Sequence, residues 1–157
     1  NVMKMKVVLA GLNSYSGSGA IDDIMFCVAA PTEEEPTGCT RTQGYWKNHA
    51  DPNKKKYDST WDEYLNKDYY GMGDYLAVLK TAPKGGNADI ILAHQYIAAV
   101  LNMAAGASAP DDVEAVMADA HLYFSGELEV SRDELISWAE LLDDYNNGKI
   151  GPGHCDE

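Results

Sequence analysis

Apolar and polar positions alternate at the start of the chain, where Met3, Met5, Val7 and Leu9 are interleaved with Lys4, Lys6 and Val8. A period of two puts one set on one face of an extended backbone, so the pattern predicts a half-buried β-strand. NSYSGSG follows as a turn-rich stretch. A second apolar run from Ile21 to Val28, with Ile24, Phe26 and Val28 on one face, predicts a second strand. Two strands alone are marginal in water. Residues 1–30 are therefore expected to form a β-hairpin or partial β-sandwich, completed by further sequence or by a neighbouring subunit. An apolar strand edge invites strand addition, which makes Met3, Met5, Val7 and Leu9 the expected assembly residues. APTEEEPTG, with two prolines and three glutamates, reads as a linker over residues 31–38.

From Thr60 onward the period changes to that of a helix. STWDEYLNKDYY brings Trp61, Tyr64 and Leu65 to a common face behind a capping Ser59. GDYLAVLKTA predicts a short helix stopped by Pro83 and the Gly85–Gly86 pair. NADIILAHQYIAAVLNMAAGA is apolar almost all round, as expected of a central helix, with Ile90, His94, Ile97 and Leu101 in one stripe. APDDVEAVMADAHLYF opens on Pro110 and two aspartates suited to the positive helix end. SRDELISWAELLDDYNNG has a capping box in Ser131 and Glu134 and stops at Asn-Asn-Gly. The expected class is α+β: the strand segment at 1–30, the linker at 31–38, and a mainly helical module of about five helices at 39–157.

Charge narrows the function classes. The 25 acidic residues against 12 basic ones give a net charge of −13, whose field repels phosphate and argues against nucleic acid and anionic membrane as partners. The charges are also segregated. Arg41, Lys47, Lys54, Lys55, Lys56 and Lys67 are six of the twelve basic residues, whereas Asp111 to Asp144 holds eleven carboxylates against Arg132 alone. Two such faces either bind head to tail in an assembly or are simply solvated on one monomer. The most apolar stretch carries Asp, His, Gln and Asn, so membrane insertion is not expected. NVMKMKVVLAGL has too short an apolar run and no clear processing site for a signal peptide.

GCTRTQGYWKNH, residues 38–49, concentrates the candidate chemistry. Tyr45 and Trp46 begin a run of aromatics continued by Trp61, Tyr64, Tyr69, Tyr70 and Tyr75, with Asn48 nearby. Exposed aromatics with amides suit a glycan, which makes Tyr45, Trp46 and Asn48 candidate sugar contacts. The competing reading has Trp46 and Trp61 plugging the helical core while Lys47 and His49 face water. His49 with Asp51, and His154 with Cys155 and Asp156, are local groups, but neither they nor any HExxH pattern makes a metal site. DDYNNGKIG fails as a calcium loop, because Tyr145 and His154 fall where oxygen ligands are required. With no nucleophile elbow and no phosphate loop, no catalytic, cofactor-binding or metal residue is assigned, no cofactor is expected, and the chain reads as a non-enzyme.

Cys27, Cys39 and Cys155 allow three pairings. Joining Cys39 to Cys155 would close a long loop and stabilise by roughly 4–5 kcal/mol on the chain-entropy model. Cys27 sits in an apolar pattern typical of buried thiols. GCTRTQGYWKNH, ILAHQYIAAVLN and LLDDYNNGKIGPGHC, in that order, resemble a module of secreted microbial surface proteins with a Cys-Thr-x-Thr-Gln-Gly-aromatic-Trp-Lys-Asn-His start and a Gly-Pro-x-His-Cys end. The resemblance covers residues 38–155. It implies an extracellular setting and a Cys39–Cys155 staple, and it carries over no catalytic residue. Residues 1–30 in turn look like the closing hairpin of a β-sandwich. The expected function is that of an extracellular structural or adhesive protein, a filament subunit joined through its N-terminal strands. Its expected partner is itself or another surface protein, and the alternative is a glycan-binding module.

Overall fold

The computed structural model describes residues 34–156, and the first helix among these residues starts inside the distinctive motif itself. Thr42 accepts a hydrogen bond from the Tyr45 N–H and caps helix α1, Gln43–Asn48. The same device opens most later elements. Asp74 caps α2, Tyr75–Lys80, through the Ala77 N–H. Asn87 caps α3, Ala88–Ala104, through the Asp89 and Ile90 N–H groups. Ser131 caps α5, Arg132–Asn146, through the Glu134 N–H. Each satisfies backbone donors that a helix start otherwise leaves unpaired. Helix α4, Asp111–Phe124, has no such side-chain cap and instead carries Asp111, Asp112 and Glu114 in its first turn, against the positive end of the helix.

Helix α3 is the axis of the fold. Leu92, Ala93, Ile97, Ala98, Ala99 and Leu101 are all fully buried, so it is enclosed on nearly every side. Helices α1, α2 and α5 pack directly on it, and α4 packs on α5. Trp46 and Trp61 enter this core from the motif and from the 3₁₀ turn Ser59–Glu63, and Leu142 and Tyr145 enter from α5.

The α+β class is corrected by these residues: they are helical and contain no strand. Their strand-like pairings are the isolated bridges Thr40 with His154 and Asp68 with Asp74. The strands expected within residues 1–30 lie outside the described residues. The helix expected over 59–70 shrinks to the Ser59–Glu63 turn, for a local reason. Asp68 accepts from the Gly71 N–H, the Tyr69 N–H donates to Gly73 O at 2.6 Å, and Tyr70 adopts a left-handed φ of 47°. The backbone reverses there, which no continuous helix can do. Part of the expected linker is also tied down. Thr37 and Ser108 exchange hydrogen bonds of 2.9 and 2.8 Å, and Gly38 lies so close to the α3–α4 loop that a Cβ would fall 2.5 Å from Gly106 O.

The reversal delivers Tyr69 to the core at zero exposure, edge-on to Tyr70, Tyr75 and Phe124. Its hydroxyl has no hydrogen-bond partner among the described residues, and burial drives its pKa far upward, so it stays neutral. Tyr69→Phe is therefore expected to raise stability by about 1 kcal/mol. The urea midpoint measures this, and a lower midpoint would mean that the hydroxyl is partnered.

Candidate functional site

The two ends of the helical module meet at one place. Cys39 and Cys155 form a disulfide with their Cα atoms 4.9 Å apart. Backbone bonds flank it: the Thr40 N–H donates to Gly153 O at 2.8 Å, and the Cys155 N–H donates to Thr40 O at 2.9 Å. Thr40 is fully buried, and its hydroxyl also reaches Gly153 O. Gly148, at φ 70°, sits directly against the backbone of Gly153 and His154, where a side chain would push the tail away.

Beneath this closure lies Asn102, a fully buried amide in the last turn of α3. Its Oδ1 accepts from the Arg41 N–H at 2.8 Å and from the Trp46 indole N–H at 3.1 Å. Its Nδ2 donates to Arg41 O and to Asn146 Oδ1, both at 2.9 Å. Asn146 in turn donates to Gln95 O and Oε1, and Gln95 donates to Asp143. The Trp61 indole N–H closes the set on Trp46 O at 3.0 Å. The motif, α3 and α5 are thus joined by one buried polar chain, which low dielectric strengthens because every member is paired.

The outer layer is half-buried. The Arg41 guanidinium lies 4.1 Å from the centre of the Tyr45 ring, and His49 stacks on that ring at 3.8 Å. The Tyr45 hydroxyl donates to Asp58 at 2.9 Å. Burial is the largest influence on Asp58 and works to raise its pKa. Bonds from Thr60 and Tyr45, with the charge of Arg41, outweigh it and hold the carboxyl below its usual range.

The candidate sugar contacts are not brought together as an exposed surface. Trp46 is 1% exposed and hydrogen-bonded inward, so it presents no ring face to a ligand, and its reading as a glycan contact is corrected. Tyr45 is engaged by Arg41 and His49, and Asn48 is exposed beside Lys47. Met3, Met5, Val7, Leu9 and Cys27 lie outside the described residues. Among the described residues, no three His, Cys, Asp or Glu side chains converge on a point where a metal ion could sit, and no helix is long and apolar enough to cross a membrane.

Two shallow hollows flank α1. One, of about 580 Å³, lies between α1 and α2, and a neighbouring one of about 510 Å³ shares Lys47 and Lys80 with it and includes His94. His94 points Nε2 at Val78 O, 2.9 Å away. Burial depresses its pKa, against the pull of the Val78 and Thr81 carbonyls. A depressed histidine binds a proton less readily folded than unfolded, so the stability it contributes is present above about pH 6.5 and is lost as pH falls. The melting temperature is accordingly expected to decline below that pH, and His94→Gln to flatten the decline. A slope unchanged by His94→Gln would assign the effect elsewhere.

No protein-family model, curated protein or solved structure significantly matches the chain, so its own geometry carries the reading of the site.

Proposed function

We propose that this chain is a non-enzymatic extracellular structural or adhesive protein, a self-associating subunit of a filament. The observation that carries the reading is the fate of the most distinctive stretch. Cys39, Thr40 and Trp46 are spent on closing the fold, in a clamp that joins both ends of the helical module. A disulfide of that kind suits an oxidising compartment. The order of the sequence motifs, which resembles a secreted surface module, supports the same setting, and the segregated charges support association. The alternating apolar positions Met3, Met5, Val7 and Leu9 are proposed as one joint.

The test is electron imaging, with light scattering, of the protein isolated from its native source, beside a chain lacking residues 1–10. Ordered polymers for the full chain, lost on truncation, are expected. A full-length protein that stays monomeric would overturn the filament reading, and normal polymers after truncation would overturn the joint.

A further inference from the structure

We infer that the lysine-rimmed hollow between α1 and α2 receives helix α4 of a second copy of this chain, an inference that rests on the self-association proposed above. The hollow has an apolar floor that includes Leu65 and Leu76, and its rim carries Lys47 from α1, Lys54 from the following loop and Lys80 from α2. All three lysines are exposed. Lys54 pairs loosely with Asp51 at 3.6 Å, while Lys47 and Lys80 make no ion pair among the described residues. Such a surface calls for an apolar ridge flanked by carboxylates.

The chain carries that complement itself. On α4, Ala115, Ala118 and Leu122 recur at helical spacing, and all three are exposed. Leu122, 37% exposed, is one of two large apolar side chains left open among the described residues. At 100° per residue, Asp119 falls on one side of this ridge and Glu114 on the other, both exposed. Among the described residues, nothing else accounts for the apolar stripe: α4 buries Val113 and Ala120 on its opposite side, against the body of the domain.

Hollow and ridge belong to different parts of the molecule, since α1 and α2 pack on α3 whereas α4 packs on α5. A contact between unlike surfaces leaves a free hollow at one end of a pair and a free ridge at the other. It therefore adds copies head to tail, into an open filament where the rotation between copies does not close a ring. A single helix in a shallow hollow is a small interface, weak alone and effective through repetition alongside a second joint.

Bulk salt is a poor probe, because the net charge of −13 repels copies while the hollow attracts them, and salt screens both. Charge exchange at fixed ionic strength separates the two effects. The full chain, Lys47→Glu with Lys80→Glu, Glu114→Lys with Asp119→Lys, and the chain with all four changes are compared by light scattering, with circular dichroism as the check on folding. Each double reversal is expected to raise the concentration needed for assembly about tenfold, in line with a few surface ion pairs. The four-fold variant is expected to recover most of that loss. Glu114→Lys with Asp119→Lys lowers the net negative charge, so general repulsion predicts easier assembly for it, the opposite result. Easier or unchanged assembly of that variant, with the wild-type chain still assembling, would overturn the hollow–ridge contact alone. A wild-type chain that never assembles would overturn it together with the filament reading.

Discussion

Trp46→Ala is expected to cost about 4–5 kcal/mol of folding stability, at the upper end for loss of a buried aromatic. The indole is 1% exposed at the junction of α1 and α3, so its removal leaves a cavity that a helix anchored by the disulfide and by Asn102 cannot collapse to fill. The lost hydrogen bond adds less. Asn102 Oδ1 would still accept from the Arg41 N–H, and Trp46 O, a backbone atom, would still receive the Trp61 indole. Trp46→Phe keeps much of the ring volume and is expected to cost about 1–2 kcal/mol. Urea unfolding of the three proteins measures both. A cost below about 1 kcal/mol for alanine would mean that the indole is not a core group, and would return it to consideration as a ligand surface.

Removing the disulfide by a joint Cys39→Ala and Cys155→Ala change is the second large effect. The bridge spans a sequence separation of 116 residues, and closing so long a loop restricts the unfolded chain by about 4–5 kcal/mol. Domains of this size are stable by only about 5–15 kcal/mol, so the loss is a large share of the total. The variant is nevertheless expected to fold, because the bonds between Thr40, Gly153 and Cys155 still zip the ends together. The urea midpoint should fall while the dependence on denaturant steepens, since an unclamped unfolded chain exposes more surface. A midpoint shift worth less than about 1 kcal/mol would place the closure in the backbone zip alone.

The two predictions concern residues of very different legibility. Helices α2 to α5 could be read from period and punctuation, because Pro83, Ser131 and the Asn-Asn-Gly stop act locally on the backbone. Helix α1 could not: six residues are too few to display a period, and its one signal, Thr42 three positions before Tyr45, is a common pattern. The expected helix over 59–70 failed because Tyr69 and Tyr75 are claimed by the core from opposite sides of a backbone reversal, a tertiary demand that helical spacing does not express. Asn102, Asn146 and Gln95 were missed for a related reason. Amides within helices rich in buried residues do signal a buried polar network, but their partners lie 44 to 61 residues away along the chain. The lysine-rimmed hollow needed Lys80, which no run of basic residues marks. Trp46 was legible as either a core residue or a sugar contact, and burial decides between them.

The most direct test of the structural role assigned to the motif is hydrogen exchange at the indole N–H groups of Trp46 and Trp61 in the oxidised protein, followed by NMR. Both donate to buried acceptors, at 3.1 and 3.0 Å. They are predicted to exchange only when the whole domain unfolds, with protection equal to its global stability. Exchange of the Trp46 indole at the rate of an exposed ring, while the rest of the core stays protected, would contradict the account and make the motif a surface site.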